Sequence, residues 1–211
     1  MSDEARPPSD SHGASPVDPS PVDPSPVDPS PVDPGQVPAV TEFSTGVPGT
    51  TMGLAARCNR LLLAHGATVA TAESLTGGLV GAALTSPPGS SKVYRGGVVA
   101  YAVDLKAQLL GVPLDLLERH GPVHPRTAAA MAAGVRDRLG ATYGLATTGV
   151  AGPEPHGDQP VGTVDLACFG PGEPVVRRCR LSGDRHEICE AAVVAALDLL
   201  RTVLERDPAT G

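Results

Sequence analysis

The chain has 211 residues and a formal net charge of −7, with 23 acidic and 16 basic residues. Eight acids and one arginine lie in the first 50 residues and give that part −7, so the other residues are neutral, with 15 charges of each sign. This neutrality argues against non-specific nucleic-acid binding, which needs a basic face. No apolar run approaches the roughly 18 residues that a membrane span requires, which argues against a membrane protein.

The N-terminal segment has low sequence complexity. Residues 15–34 are four tandem copies of Ser-Pro-Val-Asp-Pro. Such a segment lacks the apolar side chains needed to build a core, and a period of five is too short for a solenoid repeat. We therefore predict a disordered, acidic, proline-rich tail over residues 1–50 and one folded domain over residues 51–207.

The four cysteines, at positions 58, 168, 179 and 189, show neither CxxC pairing nor a histidine at metal-ligand spacing. The N-terminal segment also lacks the basic start and apolar stretch of a signal peptide. We therefore expect reduced thiols that pack in the core, a cytoplasmic location, and no metal or other cofactor.

Helical and strand patterns alternate along the rest of the chain, and a Gly-Pro-Gly turn at residues 170–172 joins the last two strands in a predicted hairpin. This order predicts an α/β fold, a three-layer α/β/α sandwich with a mixed sheet. Ligands of such sheets bind beyond the carboxyl ends of the strands. The predicted helices cover residues 52–65, 78–85, 104–110, 113–119, 125–139 and 184–205, and the predicted strands cover residues 68–72, 96–102, 143–148, 161–169 and 175–181.

The sequence Thr-Ala-Glu-Ser-Leu-Thr-Gly-Gly at residues 71–78 joins the first predicted strand to a helix. Two adjacent glycines let the backbone approach a bound group, and the first N–H groups of a helix can bind an anion. The motif places Glu73, Ser74 and Thr76 beside such an oxyanion or phosphate site. The alternative is an ordinary helix cap, because serine and threonine favour that position without any chemistry.

Lysine is rare in this chain, since Lys92 and Lys106 are the only lysines among its 16 basic residues. A lysine can lose its proton when it is buried, whereas an arginine cannot. Lys106 follows a glycine-rich strand and lies five residues after Tyr101. Near a serine hydroxyl, a desolvated lysine can act as a general base and return the proton to a leaving amine. The alternative is a surface lysine on an exposed helix.

Two further segments offer polar groups at the ends of predicted elements. Thr-Thr-Gly-Val-Ala-Gly-Pro at residues 147–153 follows a strand and can present hydroxyl and N–H groups to a carboxamide or a phosphate, although it could also be a plain turn. Ser-Gly-Asp-Arg at residues 182–185 precedes the last helix. Its aspartate can cap that helix, and Arg185 can face a phosphate or a partner subunit.

Four motifs in this order resemble the C-terminal domain of the CinA (competence-damage-inducible) family, also called PncC. They lie at residues 71–78, 96–101 with the following lysine, 148–153 and 182–185, and the resemblance spans residues 52–206. It implies an amidohydrolase that converts nicotinamide mononucleotide and water into nicotinate mononucleotide and ammonia, in pyridine-nucleotide salvage. It also implies a metal-independent Ser/Lys mechanism and a homo-oligomer.

Carried onto this chain, the resemblance implies that Ser74 is the nucleophile, that Lys106 is its base and that Tyr101 orients the pair or donates a hydrogen bond. Ser90 and Ser91 remain alternative nucleophiles. The N–H groups of the glycine motif and of the loop at residues 148–149 are expected to hold the oxyanion or the substrate. The candidate substrate-binding residues are Glu73, Thr76, Gly77, Gly78, Ser90, Ser91, Thr148, Gly149 and Arg185.

The chain departs from the family near the expected base, which leaves a second hypothesis open. Leu75 stands where the family usually has cysteine, and residues 102–105 read Ala-Val-Asp-Leu where it has Ser-Asn-Glu-Ala. The alternative to an amidohydrolase is therefore a nucleotide-binding or partner-binding module that kept the pocket without turnover. In both cases we expect a small nucleotide as ligand and neither nucleic acid nor a membrane as partner.

Overall fold

A six-stranded mixed sheet between two layers of helices forms the folded part of the chain. The structure, a computed structural model, describes residues 41–44 and 50–207. The strand order is β1-β6-β5-β4-β2-β3. The strands are β1 Thr41–Ser44, β2 Val69–Glu73, β3 Tyr94–Val99, β4 Tyr143–Gly149, β5 Thr163–Phe169 and β6 Val175–Arg180, and the helices are α1 Thr51–Ala64, α2 Leu79–Thr85, α3 Val103–Leu110, α4 Leu114–His120, α5 Pro125–Arg138 and α6 Arg185–Arg206.

The strand directions bring three connections to one edge of the sheet. β2 runs parallel to both β3 and β4, so the carboxyl ends of these three strands lie side by side. β5 and β6 pair antiparallel and form the predicted hairpin, and β5 also runs antiparallel to β4. The loops that follow β2, β3 and β4 therefore meet, as expected for a binding site in such a sheet.

Each face of the sheet has its own apolar core, and both cores consist mainly of alanine, valine and leucine. One core packs α1, α2 and α6 on the sheet and includes Leu62, Leu166 and Leu197. The other packs α3, α4 and α5 on the opposite face and includes Leu110 and Met131. Helices on both faces of a mixed sheet confirm the predicted three-layer α/β/α sandwich.

Two glycines let α5 approach its neighbours closely. A Cβ atom on Gly134 would lie 1.8 Å from the carbonyl oxygen of Leu110, at the end of α3. A Cβ atom on Gly144 would lie 2.0 Å from the carbonyl oxygen of Ala132. Because neither space admits a side chain, α5 packs directly on α3 and β4 and fixes the position of α3 relative to the sheet.

β3 ends earlier than the sequence predicts. The expected strand covers residues 96–102, whereas β3 ends at Val99. The N–H group of Ala100 still donates to the carbonyl oxygen of Glu73 at 2.9 Å, but Ala100 and Tyr101 belong to the connection to α3. Their carbonyl groups point instead to the side chain of Lys106.

The predicted tail and the structure differ at four residues. Thr41–Ser44 form β1, which pairs in parallel with β6 from Thr41 opposite Arg177 to Ser44 opposite Arg180. A strand forms here because the edge of β6 offers backbone hydrogen-bonding groups that another strand can satisfy. The Ser-Pro-Val-Asp-Pro repeats lie outside the described residues, so the disordered tail stays a prediction.

All four cysteines are free thiols, and all are buried, as the sequence predicts for cysteines that pack in the core. Burial raises the pKa of Cys58 to about 12 and that of Cys179 to about 11, so these thiols are uncharged at neutral pH. Among the helices that the structure describes, none combines the length and the apolar character needed to cross a membrane.

Candidate active site

Ser74 directly follows β2 at the edge of the sheet where the three connections meet. Its N–H group donates to the carbonyl oxygen of Thr147 in β4 at 3.0 Å, which extends the parallel pairing by one residue. The side chain is nearly buried, with 8% of the residue exposed. The sheet thus fixes the backbone of Ser74 and leaves its hydroxyl at the wall of a cavity.

Lys106 on α3 reaches this hydroxyl and is the buried lysine that the sequence suggested. Its Nζ atom lies 3.1 Å from Ser74 Oγ, 2.7 Å from the carbonyl oxygen of Ala100 and 3.4 Å from that of Tyr101. Only 1% of the residue is exposed, and burial lowers the pKa of Lys106 to about 8. In the neutral form, two N–H bonds can serve the two carbonyl groups while the lone pair faces the serine hydroxyl.

A cavity of about 300 Å³ opens at Ser74 and Lys106. This volume lies at the lower end of the range for small-molecule sites. The titratable side chains that line it are those of Tyr101, Lys106, Glu154, His156 and Arg185. The loops after β2, β3 and β4, together with the start of α6, supply most of the wall, which includes Ser74, Leu75, Tyr101, Val103, Pro122, Val123, Thr148, Gly149, Val150, Ala151 and Gly152.

Tyr101 lies at the cavity but contacts Lys106 differently from the prediction. Its backbone carbonyl faces Lys106, whereas its hydroxyl accepts a hydrogen bond from Arg185 Nη2 at 2.7 Å. Arg185 Nη1 donates in turn to the carbonyl oxygen of Gly152 at 2.8 Å. Tyr101 is 56% exposed, so the tyrosine and the arginine together form part of the rim.

Glu73 precedes Ser74, and its carboxylate points away from the cavity to the start of α2. Oε2 accepts hydrogen bonds from Thr76 Oγ1 at 2.7 Å and from the N–H groups of Gly78 and Val80 at 3.0 Å each. Oε1 accepts from the N–H group of Gly81 at 2.8 Å. Because all four donors belong to the protein and the residue is 2% exposed, Glu73 is not placed to bind substrate.

The glycine motif therefore differs from the expected oxyanion site. The N–H group of Gly78 is bonded to Glu73, and that of Gly77 donates to the carbonyl oxygen of Ser74 at 3.0 Å. The Thr76 hydroxyl is buried against Glu73 and Thr147. The first N–H groups of a helix favour a negative charge. At the start of α2 this charge is the carboxylate of Glu73, which occupies the position that the sequence suggested for a bound anion.

The second glycine loop lies where the sequence predicts. Thr148 and Gly149 line the cavity together with Ser74. The Thr148 hydroxyl donates to the carbonyl oxygen of Pro122 at 2.7 Å and joins the end of β4 to the segment before α5. Gly149 has no side chain, so it lines the cavity with its backbone.

Ser90 and Ser91 are not at the site, which corrects the prediction that they are alternative nucleophiles or substrate-binding residues. They lie in a 3₁₀ turn, Ser90–Lys92, before the amino end of β3. Six strand residues span roughly 20 Å, so this turn and the cavity are at opposite edges of the sheet. Ser90 Oγ instead donates to the carbonyl oxygen of Thr85 at 3.0 Å.

Several lining residues were not singled out from the sequence. Glu154 and His156 follow β4 and face the cavity, and the carbonyl group of Gly152 holds Arg185. The position of Glu154 and His156 directly after the second glycine loop was the available signal. Within the described residues, no group of three or more His, Cys, Asp or Glu side chains is arranged to hold a metal ion.

The fold and the site together define a class: an α/β sandwich with a buried serine–lysine pair at the carboxyl edge of its parallel strands. A family described as "CinA C-terminal domain" matches residues 51–204. The chain belongs to this CinA family, which confirms the resemblance read from the four motifs.

Two relatives show the extent of this similarity. A CinA-like protein of Frankia casuarinae is 58% identical over 144 residues, which cover 68% of this chain and 33% of that protein. A CinA-like protein of Myxococcus xanthus is 48% identical over 147 residues, which cover 69% and 35%, respectively. The chain thus matches about a third of the length of these curated relatives.

Solved structures agree with this assignment. The competence-damaged protein (CinA) superfamily protein of Klebsiella pneumoniae 700603 has a TM-score of 0.73 and 32% identity, and the match covers 75% of this chain and 100% of that one. The competence/damage inducible protein CihA of Agrobacterium tumefaciens has a TM-score of 0.71 and 38% identity, with 77% and 99% coverage. The fold of residues 51–204 is therefore that of the family.

Proposed function

We propose that the protein is an amidohydrolase that converts nicotinamide mononucleotide and water into nicotinate mononucleotide and ammonia. The observation that carries this proposal is the buried Ser74–Lys106 pair, with 3.1 Å between Oγ and Nζ at the wall of a cavity. A serine next to a base of lowered pKa is an activated nucleophile. The carboxamide of the substrate is the linear amide that such a nucleophile attacks.

In the first half of the proposed reaction, neutral Lys106 accepts the hydroxyl proton while Ser74 Oγ bonds to the carboxamide carbon. The C–N bond then breaks, Lys106 gives its proton to the departing nitrogen, and ammonia leaves an acyl-enzyme. The two carbonyl groups that hold Nζ support both steps, since they fix the direction of its remaining lone pair.

In the second half, water attacks the acyl carbon and Lys106 accepts a water proton. Collapse of the tetrahedral intermediate returns that proton to Ser74 Oγ and releases the carboxylic acid, so the enzyme is regenerated. We assign the oxyanion to backbone N–H groups at Leu75 and Gly149, because both residues line the cavity with Ser74 and the N–H groups of Gly77 and Gly78 are already bonded.

Arg185 supports a phosphate at the outer end of the bound nucleotide. It is the arginine of the cavity wall, it is exposed, and two of its donors already hold Tyr101 and Gly152. Its remaining N–H groups can receive phosphate oxygens, for which a guanidinium is suited. The small cavity and this single rim arginine fit a mononucleotide with one phosphate.

The test is ammonia release from the pure protein and nicotinamide mononucleotide, with Ser74→Ala and Lys106→Ala as variants. We expect each variant to lose roughly 10³-fold or more in kcat/KM, as is usual for a nucleophile or its base. Ser91→Ala is the matched control and should keep full activity, because Ser91 lies at the opposite edge of the sheet. Full activity in Ser74→Ala would exclude the assigned role.

The second hypothesis, a binding module without turnover, is separated by the same experiment. Micromolar binding of the nucleotide, measured by calorimetry, with no ammonia over hours would favour it. The expected homo-oligomer also stays a prediction, and light scattering of the protein in solution measures it directly.

A further inference from the structure

Glu73 lies one residue before the proposed nucleophile, and both oxygens of its carboxylate accept hydrogen bonds from the protein itself. It collects one hydroxyl and three backbone N–H groups, all within 2.7 to 3.0 Å, from the segment that links Ser74 to α2. A buried carboxylate with four donors is strongly held, and removing one acceptor leaves a buried donor unpaired. The carboxylate therefore fixes the start of α2 relative to the end of β2.

The same carboxylate is part of a closed ring of contacts around Ser74. Thr76 Oγ1 donates its single proton to Glu73, so the Thr147 hydroxyl is the donor in the 2.8 Å contact between the two threonines. The carbonyl oxygen of Thr147 accepts from the N–H group of Ser74 at 3.0 Å. The ring joins the end of β2, β4 and the segment that leads into α2, and Ser74 is its member at the cavity.

Glu73 also joins the nucleophile to the segment that carries the base. Its backbone carbonyl accepts from the N–H group of Ala100 at 2.9 Å, and the carbonyl of Ala100 accepts from Lys106 Nζ at 2.7 Å. The positions of Ser74 and Lys106 thus both depend on Glu73. Its side chain holds the segment that follows Ser74, and its backbone carbonyl holds Ala100, which binds Lys106.

We propose that Glu73 is a positioning residue for the Ser74–Lys106 pair: its carboxylate takes the place of an external anion at the start of α2 and holds the serine hydroxyl within reach of the lysine. This proposal deepens the proposed function and rests on it for the reaction that is followed. It replaces the sequence-based assignment of Glu73 to substrate binding. It also leaves the rim at Arg185, rather than the start of α2, for an anionic group of the substrate.

The variant Glu73→Gln has nearly the same shape but one acceptor oxygen fewer. If the amide nitrogen replaces Oε1, it faces the N–H group of Gly81, and if it replaces Oε2, it faces three donors. In both orientations two donors oppose each other, so the first turn of α2 must shift. A displacement of about 1 Å in a reacting group can reduce a rate about 10²-fold.

The experiment compares Glu73→Gln with Asp198→Asn, a matched control. Asp198 is another buried carboxylate, but it binds Arg177 and Arg201 and does not line the cavity. For each variant we measure kcat and KM for nicotinamide mononucleotide, the melting temperature, and the rate at which a fluorophosphonate labels Ser74. The labelling reports the reactivity of Ser74 without any nucleotide.

We expect Glu73→Gln to lose roughly 10- to 100-fold in kcat and in labelling rate, with KM within about threefold of the wild type. Asp198→Asn should lower the melting temperature to a similar extent and leave kcat and labelling within about twofold. Equal kcat and labelling in the two variants would overturn the positioning role, because loss of stability alone would then explain Glu73→Gln.

Thr76→Val is a second variant, which tests the same contacts if Glu73→Gln does not fold. It removes the hydroxyl between Glu73 and Thr147 at nearly constant volume, and we expect the same pattern at roughly 3- to 10-fold. Wild-type protein that is labelled at Ser74 without releasing ammonia would refute the proposed substrate while leaving the positioning role to be decided by the labelling rates. Wild-type protein that is not labelled at Ser74 would overturn both.

Discussion

Two cations on the same side of the sheet, the half-buried Arg178 and the buried Lys106, are held in opposite ways. Arg178 on β6 makes two hydrogen bonds to the carboxylate of Asp165, at 2.7 and 2.8 Å, and Asp165 is 0% exposed. Lys106 is 1% exposed and is held by two backbone carbonyls and the hydroxyl of Ser74. The first cation is neutralised by an acid, and the second contacts only uncharged groups.

The presence or absence of a paired carboxylate decides whether the cation can exchange a proton. A paired arginine stays charged at all relevant pH values, so it can join two strands but cannot exchange a proton. A lysine that is desolvated without a counter-ion has its pKa lowered toward neutrality, to about 8 in Lys106, and can therefore give up its proton to become a base. Each site contains a fully buried charged group, Asp165 in one and Lys106 in the other. The carboxylate paired with Arg178 makes the first site structural, whereas the absence of a carboxylate beside Lys106 suits the second site to proton transfer.

The largest expected effect comes from removing the paired cation. Arg178→Met leaves the carboxylate of Asp165 buried without its arginine and should lower the free energy of unfolding by about 3–5 kcal/mol. Urea denaturation at pH 7 measures it. The double variant Asp165→Leu/Arg178→Met is the control and should lose less than the single variant, whereas an equal loss would show that the ion pair is not the cause.

The rate of hydrolysis should depend on pH through Lys106, because only its neutral form accepts the serine proton. Since the lysine is protonated below its pKa of about 8, kcat/KM should rise about tenfold per pH unit up to pH 8 and level off above it. The measurement is initial ammonia release between pH 6 and 9.5. A flat profile over this range would contradict the role of Lys106 as the base.

The unpaired cation should lower the stability of the fold at neutral pH. A pKa that falls from 10.5 to about 8 on folding corresponds to a cost of about 3 kcal/mol at pH 7, where the lysine is protonated in both states. Lys106→Met removes this cost but leaves the carbonyl of Ala100 without its donor, so we expect a net gain of about 1–2 kcal/mol.

The stability gained by Lys106→Met should depend on pH. Above the folded pKa, the wild-type lysine is already neutral in the folded state, so the advantage of Lys106→Met should shrink as pH rises from about 8 toward 10.5. Urea denaturation at pH 7 and pH 9.5 gives both values. A methionine variant that is less stable than the wild type at pH 7 would show that burial of the lysine is not costly.

The smallest expected effect concerns the exposed rim. Tyr101→Phe removes the 2.7 Å hydrogen bond to Arg185 and should raise KM about two- to fivefold while kcat stays within about twofold. Steady-state kinetics with nicotinamide mononucleotide separates the two parameters. A loss of kcat near 10²-fold would instead give the Tyr101 hydroxyl a part in the chemistry.

The sequence predicted the layers and the edge of the sheet because these follow from local patterns. The alternation of helical and strand periodicity gave the α/β/α sandwich, and the glycine motifs that follow β2 and β4 marked the edge that binds ligands. The scarcity of lysine, together with its position after a glycine-rich strand, singled out Lys106. The predicted strand end at residue 102 was wrong, because β3 ends at Val99. The carbonyls of Ala100 and Tyr101 accept hydrogen bonds from the side chain of Lys106 on α3, which a strand pattern does not reveal.

What the chain determined by itself was therefore the order of its elements and the chemical types present at one edge of the sheet. Tertiary structure decided which of those groups meet: it separated Ser90 and Ser91 from the cavity by the length of β3, turned the Tyr101 hydroxyl to Arg185, and filled the start of α2 with the carboxylate of Glu73. The physical reason is that side-chain direction and the occupation of backbone donors depend on neighbours distant in sequence, which no local pattern contains.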